Sequence, residues 1–317
     1  MKILVTGATG FIGKNLVEGL IKKRDNISCL VRKKSNKEDI LFLKRLGCKI
    51  VYGDITRDIN LKKMMGGCDA VYHLAGILGG QKVPDKKYYN INVKGTKSLI
   101  DSCNGQKFIF CSSAGVLGPV INGDEKSRIS PTNIYEDTKA EAEKIVRRYN
   151  NYVILRPEFV YGPFDKHVLK LFISVKTRRF RIVGDGKSHL HPTYIDDLTY
   201  CLIKCLDKQI KNEIFVVAGE KPVSVNNFLK LVSDRLNAKP NRIKVPLIFA
   251  KYYVKATEPI SKRLNINPIL TKSSLDFFTK SRTFNTDKAK KMLGFKPVKL
   301  ESGIKKTIEW YKRNGYL

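Results

Sequence analysis

The first thirteen residues constrain the fold of this chain more than any other segment. An apolar run at Lys2–Thr6 predicts a buried strand, and Gly7, Gly10 and Gly13 follow it in a G-x-x-G-x-x-G spacing. Glycines leave room for backbone N–H groups to approach a pyrophosphate, and the next helix presents its positive end to it. An ordinary strand-to-helix turn is the alternative. The placement of all three glycines between a strand and an amphipathic helix favours a dinucleotide site.

Short β-branched runs alternate with amphipathic stretches through the first half of the chain. The candidate strands are Lys2–Thr6, Ile27–Arg32, Lys49–Tyr52, Ala70–Leu74, Lys107–Cys111 and Val153–Arg156. This alternation predicts an α/β fold, a Rossmann doubly wound parallel sheet with crossover helices. After about residue 160 the pattern is irregular apart from a short strand at Ile214–Ala218. We expect an NAD(P)-binding core over residues 1–160 and a smaller C-terminal substrate-binding lobe over 161–317, some segments of which return to the core.

The charge of the chain is strongly positive. Sixty basic residues against 29 acidic ones give a net charge of +31, and most of the basic residues are lysines spread in ones and twos. A nucleic-acid reader would more often show an arginine-rich arm or a recognised binding module. We therefore expect a solvated lysine surface and no specific nucleic-acid partner, although the charge can favour anionic substrates.

The cysteines, histidines and apolar runs bear on location and metals. Seven scattered cysteines without a Cys-x-x-Cys predict reduced thiols, with Cys201 and Cys205 in apolar packing. No metal site is expected, because His189 and His191 lack nearby carboxylates or thiols and are interpreted as structural or substrate-facing. No apolar run reaches the roughly 18 residues of a membrane span, and no secretory signal is visible, which predicts a cytoplasmic protein. Val245–Ala256 is apolar enough for a membrane surface or a partner, but core or dimer packing is the favoured interpretation.

Two residues bear on the choice of dinucleotide. Arg32 ends the second candidate strand, where an acidic residue would hold the ribose hydroxyls of NAD and an arginine suits the 2′-phosphate of NADP. We therefore expect NAD(P) as the cofactor, with a slight preference for NADP. Asp54 follows the third strand, where its carboxylate could accept a hydrogen bond from the adenine amino group or cap the next segment.

A series of short motifs along the chain resembles the motifs of a known family. They are Thr6–Gly13, Tyr72–Gly76, Asn92–Thr96, Ser112–Val116, Tyr135–Lys139, Arg156–Pro163, His191–Asp197, Phe284–Ala289 and Leu293–Pro297. In order and spacing they resemble the extended short-chain dehydrogenase/reductases, the NAD-dependent epimerase/dehydratase family, over nearly the whole chain. The resemblance implies a nucleotide-sugar epimerase-like enzyme and a possible homodimer. It implies cofactor contacts from Gly7, Thr9, Gly10, Phe11, Ile12, Gly13, Arg32, Asp54, Ile55, Leu74, Ala75, Gly76, Asn92 and Lys139.

The catalytic candidates are Tyr135, Lys139 and Ser113. Tyr135 and Lys139 are four residues apart in a strongly helical stretch, so their side chains share one face. An ammonium near a phenol is expected to lower the pKa of Tyr135, which could then exchange a proton with a substrate hydroxyl. The resemblance implies that Lys139 also binds the nicotinamide ribose and that Ser113 orients the reacting oxygen.

The substrate contacts are less defined. The expected set is Gly76, Ser113, Tyr135 and Arg179. Arg179 stands with Arg178 and Arg181, whose guanidinium groups could meet a diphosphate or lie on a solvated surface. The glycine-rich segment from Gly76 to Gly80 is expected to form a mobile loop near the nicotinamide, or a solvent loop with no contact role.

Two departures from the family pattern limit the activity. Ala114 and Gly115 occupy the places where 4,6-dehydratases of the family have an Asp–Glu pair, so dehydration by that route is not expected. Leu117 replaces a tyrosine of many sugar-nucleotide epimerases, which suggests a substrate other than a typical UDP-hexose. The prediction is an NAD(P)-dependent nucleotide-sugar epimerase or reductase. The alternatives are an NADPH-dependent ketone or alcohol reductase of the dihydroflavonol-reductase or hydroxysteroid-dehydrogenase type, and a non-enzymatic dinucleotide sensor or assembly factor.

Overall fold

A computed structural model describes residues 1–23, 25–57, 60–81, 83–239, 243–264 and 270–317. The strands are β1 (Lys2–Thr6), β2 (Asn26–Val31), β3 (Lys49–Tyr52), β4 (Ala70–His73), β5 (Lys107–Cys111), β6 (Val120–Gly123), β7 (Tyr152–Pro157), β8 (Val160–Tyr161), β9 (Ile182–Val183), β10 (His189–Leu190), β11 (Thr193–Tyr194), β12 (Glu213–Val217), β13 (Val223–Ser224), β14 (Lys244–Val245) and β15 (Arg282–Phe284).

The α-helices alternate with these strands in the first half and dominate the second. They are α1 (Phe11–Ile21), α2 (Lys37–Arg45), α3 (Leu61–Met65), α4 (Asp85–Tyr88), α5 (Gly95–Ser102), α6 (Ile134–Val146), α7 (Lys166–Lys176), α8 (Ile195–Lys204), α9 (Val225–Arg235), α10 (Leu247–Leu264), α11 (Lys272–Thr279), α12 (Asp287–Leu293) and α13 (Leu300–Arg313). A π-helical turn at Tyr89–Lys94 joins α4 to α5, and a 3₁₀ turn at Ala114–Leu117 follows β5.

One parallel sheet organises the molecule. Its seven strands run in the order β12-β7-β5-β4-β1-β2-β3. The chain starts at β1, builds outward through β2 and β3, and then crosses back to β4 and builds outward on the other side. This is the doubly wound Rossmann arrangement that the alternating sequence pattern predicts. A crevice opens where the winding reverses, between β1 and β4, and ligands of such sheets bind at the carboxyl ends of the strands there.

Helices cover both faces of the sheet. Apolar side chains of α1, α2, α8 and α12 pack on one face, and those of α3, α5 and α6 pack on the other. Cys201 of α8 and Cys205, which directly follows this helix, are fully buried in the first of these layers, which confirms their predicted packing role. Strand β12 thus belongs to the sheet, and α8 and α12 pack on it, although all three come after residue 160.

The remaining later helices form a second apolar cluster. Helices α7, α9 and α13 pack together through side chains such as Phe172, Phe228 and Ile308. His191 is buried beside this cluster, where its Nε2 hydrogen-bonds the Gly219 oxygen at 3.0 Å and its Nδ1 accepts from the Phe284 N–H at 3.2 Å. His191 therefore has a structural role. Within the described ranges no three His, Cys, Asp or Glu side chains are grouped in a way that could hold a metal ion.

Helix α10 differs from the expectation for Val245–Ala256. Ala250 and Val254 pack against Leu275 of α11, whereas Ile248, Phe249 and Tyr252 are exposed. The predicted core packing therefore holds for one face of this helix only. None of the helices in the described part of the chain combines the length and apolar character needed to cross a bilayer.

Candidate active site

The glycine turn after β1 is shaped by close backbone approach. Gly7 has a φ of +74°, and a Cβ there would lie 2.6 Å from the Ala75 nitrogen at the end of β4. A Cβ at Gly13 would lie 2.2 Å from the Gly7 oxygen, so α1 packs directly on the turn. Both positions need glycine, because a Cβ at either one would overlap backbone atoms of the neighbouring segment. The turn brings the start of α1 to the crevice between β1 and β4.

The start of α1 suits a pyrophosphate. The helix begins at Phe11 with Gly10 in the cap position, where no side chain accepts from the backbone N–H groups, and its first turn contains no acidic residue. Helix N-termini of this kind attract phosphate oxygens through their N–H groups and dipole. The residues present therefore fit a dinucleotide.

A buried histidine fixes the strands behind this turn. His73 Nδ1 hydrogen-bonds Thr6 Oγ1 at 2.8 Å, and its Nε2 hydrogen-bonds Thr96 Oγ1 at 2.9 Å. Thr6 Oγ1 also accepts from the Ala75 N–H at 3.3 Å. Burial lowers the pKa of His73 to about 3, so the ring stays neutral at physiological pH. This network holds the ends of β1 and β4 at the spacing that the glycine turn needs.

A cleft of about 450 Å³ runs along the carboxyl ends of the strands. Its lining contains the predicted residues Gly7, Thr9, Gly10, Phe11, Ile12, Gly13, Arg32, Asp54, Ile55, Leu74, Ala75 and Gly76. Ile77 and Leu78 of the glycine-rich segment also line it, whereas sequence reasoning missed Ser35, Gln81, Val83 and Lys87. Ser35, Gln81 and Val83 lie in loops and Lys87 in the short helix α4, so only the folded arrangement assigns them to the cleft.

Arg32 and Asp54 lie together at one end of this cleft. Asp54 Oδ1 accepts from the Thr56 N–H at 2.9 Å and from Thr56 Oγ1 at 2.7 Å, so the turn-capping role considered for Asp54 is present. The pKa of Asp54 is below its ordinary value. Burial opposes this shift, and the Thr56 hydrogen bonds and the positive charge of Arg32 produce it. The exposed Arg32 guanidinium thus borders the end of the cleft where β2 and β3 finish.

The three catalytic candidates meet at the carboxyl end of β5. Helix α6 begins at Ile134, where Asn133 Oδ1 accepts from the Glu136 N–H at 3.1 Å, and this places Tyr135 in the first turn. Ser113 follows β5, and its side chain is close enough to the Tyr135 phenol to influence the pKa of that phenol. Lys139 is buried, and its Nζ donates to the Cys111 oxygen at 2.7 Å. The structure therefore brings Tyr135, Lys139 and Ser113 together.

The glycine-rich loop after β4 borders both this trio and the cleft, whose lining includes none of Tyr135, Lys139 and Ser113. Gly76 lines the cleft, and a Cβ there would lie 3.7 Å from Lys139 Nζ. A Cβ at Gly79 would lie 3.3 Å from the Tyr135 ring. Of the two interpretations of this loop, the one with a contact role agrees with the structure.

Asn92 belongs to the π-helical turn and contacts the glycine-rich loop. Its Oδ1 accepts from the Ile77 N–H at 2.8 Å, and its Nδ2 donates to Thr138 Oγ1 at 3.1 Å. Asn92 is buried and does not line the cleft. Its amide therefore positions the loop against α6, and any influence on a cofactor passes through Ile77 and Gly76.

The protonation state of Tyr135 differs from the sequence expectation. Its pKa is raised above the ordinary value for a phenol, chiefly because burial disfavours the phenolate and in part because Cys111, Glu136 and Glu158 add unfavourable interactions. The Ser113 side chain opposes this shift. The predicted lowering by Lys139 is wrong for this structure, since Lys139 points its ammonium at the Cys111 oxygen and its own pKa is lowered by burial. Tyr135 is thus a neutral phenol at physiological pH.

Three buried charged residues next to Tyr135 escaped sequence reasoning. Glu136 forms an ion pair with Arg282 at 2.9 Å, and Thr132 Oγ1 donates to its other oxygen at 2.8 Å. Glu158 is buried after β7, where burial raises its pKa to about 7 while Arg282 opposes this and Glu136 adds to it. A carboxylate directly after a buried strand was a usable signal for Glu158. Arg282 carried no such signal.

The departures from the family pattern have a structural basis. A side chain at Gly115 would come within 3.0 Å of Glu136 Oε1, so Glu136 fills the space that a residue at this place would need. Leu117 is buried. The Ala114 to Leu117 turn therefore presents no acid–base pair, as its sequence indicates.

Arg179 lies outside the site around Tyr135. Its side chain is exposed after α7, and it is absent from the lining of the cleft. Its neighbour Arg178 lines a separate pocket of about 290 Å³ between α7 and α9. The expected diphosphate contact of Arg179 has no support in the arrangement around Tyr135.

Residues 3–218, which include the glycine turn, Ser113, Tyr135 and Lys139, match the model of the NAD dependent epimerase/dehydratase family. The chain belongs to this family. It is therefore an enzyme of the extended short-chain dehydrogenase/reductase type, and the family is NAD-dependent.

Curated members of the family cover nearly the whole chain. A ketoreductase of Stigmatella aurantiaca that acts on a 4-hydroxy-2-methyl-3-oxo-4-farnesyl-3,4-dihydroquinoline-1-oxide is 25% identical over 93% of this chain and 92% of the relative. The decarboxylating sterol-4-alpha-carboxylate 3-dehydrogenase of Candida albicans is 28% identical over 97% of each chain. The crystal structure of UDP-glucuronic acid 4-epimerase from Bacillus cereus in complex with NAD has a TM-score of 0.78 at 24% identity and covers 99% of each chain. At that identity the last likeness shows the fold alone.

Proposed function

We propose that this enzyme reduces a ketone to a secondary alcohol with a nicotinamide dinucleotide, NADP in preference to NAD. The observation that carries the proposal is the position of Tyr135, whose phenol lies close to Ser113 and whose ring packs against Gly79 of the glycine-rich loop that borders the cleft. The bound dinucleotide supplies the hydride. Tyr135 donates the proton to the ketone oxygen, and the Ser113 hydroxyl steadies the charge that develops on that oxygen. The Lys139 ammonium donates a hydrogen bond to the Cys111 oxygen at the end of β5 and lies beside Gly76, which lines the cleft.

Two further observations support ketone reduction with NADPH. One curated relative is named as a ketoreductase. Arg32 borders the cleft and favours a 2′-phosphate.

A nucleotide-sugar epimerase is the second candidate. It is favoured by the likeness in fold to UDP-glucuronic acid 4-epimerase over 99% of each chain. In that reaction the hydride is removed from a sugar carbinol and returned to the other face, and Tyr135 both takes and returns the proton. The exposed position of Arg179 weakens this candidate, because the guanidinium expected to bind a diphosphate then lies outside the cleft.

The experiment is Tyr135→Phe, with turnover followed as NADPH oxidation over a panel of bulky ketones. Turnover should fall by about 10²- to 10⁴-fold, since the proton donor is lost. NADPH binding, measured by calorimetry, should be unchanged. Tyr316→Phe is the control, because Tyr316 is an exposed tyrosine near the C-terminus. Full activity of the Tyr135 variant would refute the catalytic assignment.

A second measurement separates the two candidates. A reductase oxidises one NADPH for each ketone reduced and is isolated with an empty or exchangeable cleft. An epimerase retains NAD⁺ through purification and interconverts two sugars without net consumption. Mass spectrometry of the released dinucleotide, together with product stoichiometry, decides between them.

A further inference from the structure

Helix α10 exposes an apolar face that has no partner among the described residues. Ile248 is 59% exposed, and Phe249 and Tyr252 are each 66% exposed. Tyr253 and Ile260 continue the same face and are also exposed. Exposed apolar side chains that stand singly are common, whereas a contiguous group of this kind marks an interaction surface.

The spacing along α10 makes this group one stripe. Residues 248, 252, 256 and 260 recur every four positions, and 249 and 253 lie beside them. The opposite face is the one that packs, because Ala250, Val254 and Ser261 are buried. At 3.6 residues per turn these two sets lie on opposite sides of the helix. The helix is therefore docked on its own lobe by one face and presents a second apolar face outward.

Two lysines border the exposed stripe. Lys251 and Lys255 are exposed and one turn apart, and their positions in the helical repeat place them along one edge of the apolar stripe. The stripe itself contains two tyrosines. A helix with aromatic and aliphatic side chains on one side and lysines at the edge has the composition of an interfacial helix.

The net charge of the chain indicates which kind of partner covers the exposed face of α10. A second copy of this protein would also carry +31, so two α10 faces with their lysines would meet against strong repulsion. An anionic lipid surface attracts the same lysines and accepts the same apolar side chains.

We propose that α10 lies in the plane of an anionic membrane surface. Its apolar stripe is buried at the boundary of headgroups and acyl chains, and Lys251 and Lys255 contact the headgroups. This attachment uses no residue of the hydride-transfer site, so it stands or falls independently of the proposed reaction.

Co-sedimentation with sucrose-loaded vesicles tests the proposal. Wild-type protein should sediment with vesicles of phosphatidylcholine and phosphatidylglycerol and much less with phosphatidylcholine alone. The triple variant Ile248→Gln, Phe249→Gln, Tyr252→Gln keeps the net charge and should lose at least about tenfold of this binding, because three apolar side chains no longer enter the bilayer. NADPH oxidation in solution and the Tm should be unchanged, since all three residues are exposed.

A matched control separates the helix from general charge attraction. Leu41→Gln, Ile121→Gln and Ile173→Gln together remove three exposed apolar side chains elsewhere and should leave vesicle binding at the wild-type level. Equal binding of wild type and the α10 variant would overturn the proposal. So would a wild-type dimer in light scattering that the α10 variant makes monomeric while neither protein binds vesicles, because the occupant would then be a second copy.

Discussion

Glu136 forms a 2.9 Å ion pair with Arg282, and both side chains are buried. Glu136 directly follows Tyr135 in α6, whereas Arg282 belongs to β15, which pairs with β6. The contact therefore ties the first turn of the catalytic helix to a segment near the C-terminus. It also sets the charge beside the phenol, because Arg282 faces Glu158 as well.

Removing Arg282 should destabilise the fold strongly. Arg282→Met leaves the Glu136 carboxylate buried without its partner, and breaking such a pair costs about 3–5 kcal/mol in the free energy of unfolding. Urea denaturation measures this loss. Lys97→Met is the control, since its pair with Asp101 is exposed and contributes about 1 kcal/mol or less. Similar losses for the two variants would show that the buried pair is not important for stability.

Ser113→Ala should reduce catalysis without weakening dinucleotide binding. The variant removes a donor to the reacting oxygen, which lowers kcat by about 10²- to 10³-fold. Ser113→Thr retains a hydroxyl and should restore most of the activity. A Thr variant as inactive as the Ala variant would argue against a role for the hydroxyl.

Glu158→Gln should change how stability depends on pH. The pKa of Glu158 is raised by burial from 4.5 to about 7, so between these values the folded protein holds a proton that the unfolded chain has lost. Its contribution to stability is complete below 4.5 and is lost as the pH rises to about 7. The wild type should lose up to about 3 kcal/mol more than the Gln variant over this interval.

Urea denaturation at both ends of this interval checks the Glu158 prediction. Glu301→Gln, at an exposed position, is the control and should follow the wild type. If the difference between wild type and Glu158→Gln is the same at both pH values, Glu158 does not titrate as its burial implies.

Arg32→Ala should reduce affinity for NADPH selectively. One charge-assisted hydrogen bond to the 2′-phosphate contributes about 1.5–3 kcal/mol, so the Kd for NADPH should rise about tenfold or more while the Kd for NADH changes little. Calorimetry with both dinucleotides measures this. Lys33→Ala removes the neighbouring exposed positive charge and should affect both dinucleotides weakly. A parallel loss for NADPH and NADH in the Arg32 variant would remove the case for NADP.

Much of the fold could be predicted because it is encoded locally. Gly13 is required by contacts with Gly7 and Ala8, and Gly7 by its positive φ, so the spacing of this turn is visible in the sequence. The close approach of Gly7 to Ala75, by contrast, joins distant segments. The strand positions follow from β-branched runs that a fully buried parallel sheet requires. The four-residue spacing of Tyr135 and Lys139 places them on one helix face whatever surrounds them.

The properties of the site required contacts between distant segments. The sequence predicted a lowered pKa for Tyr135, but burial and the carboxylates of Glu136 and Glu158 raise it. Arg179 resembled a phosphate-binding residue and is exposed away from the cleft. Helix α10 is apolar on both faces, so its sequence resembles that of a core helix. Only the tertiary packing shows which face is buried and which is exposed.

The amino-acid sequence by itself thus determined the doubly wound sheet, the glycine turn and the identity of the tyrosine, lysine and serine at the end of β5. These depend on short-range sterics and on periodicity, which neighbouring residues in the chain carry. The tertiary structure alone decided the protonation of Tyr135, the partner of Glu136 and the exposure of α10. Burial and Coulomb interactions depend on distances through space, and residues far apart in the chain set those distances.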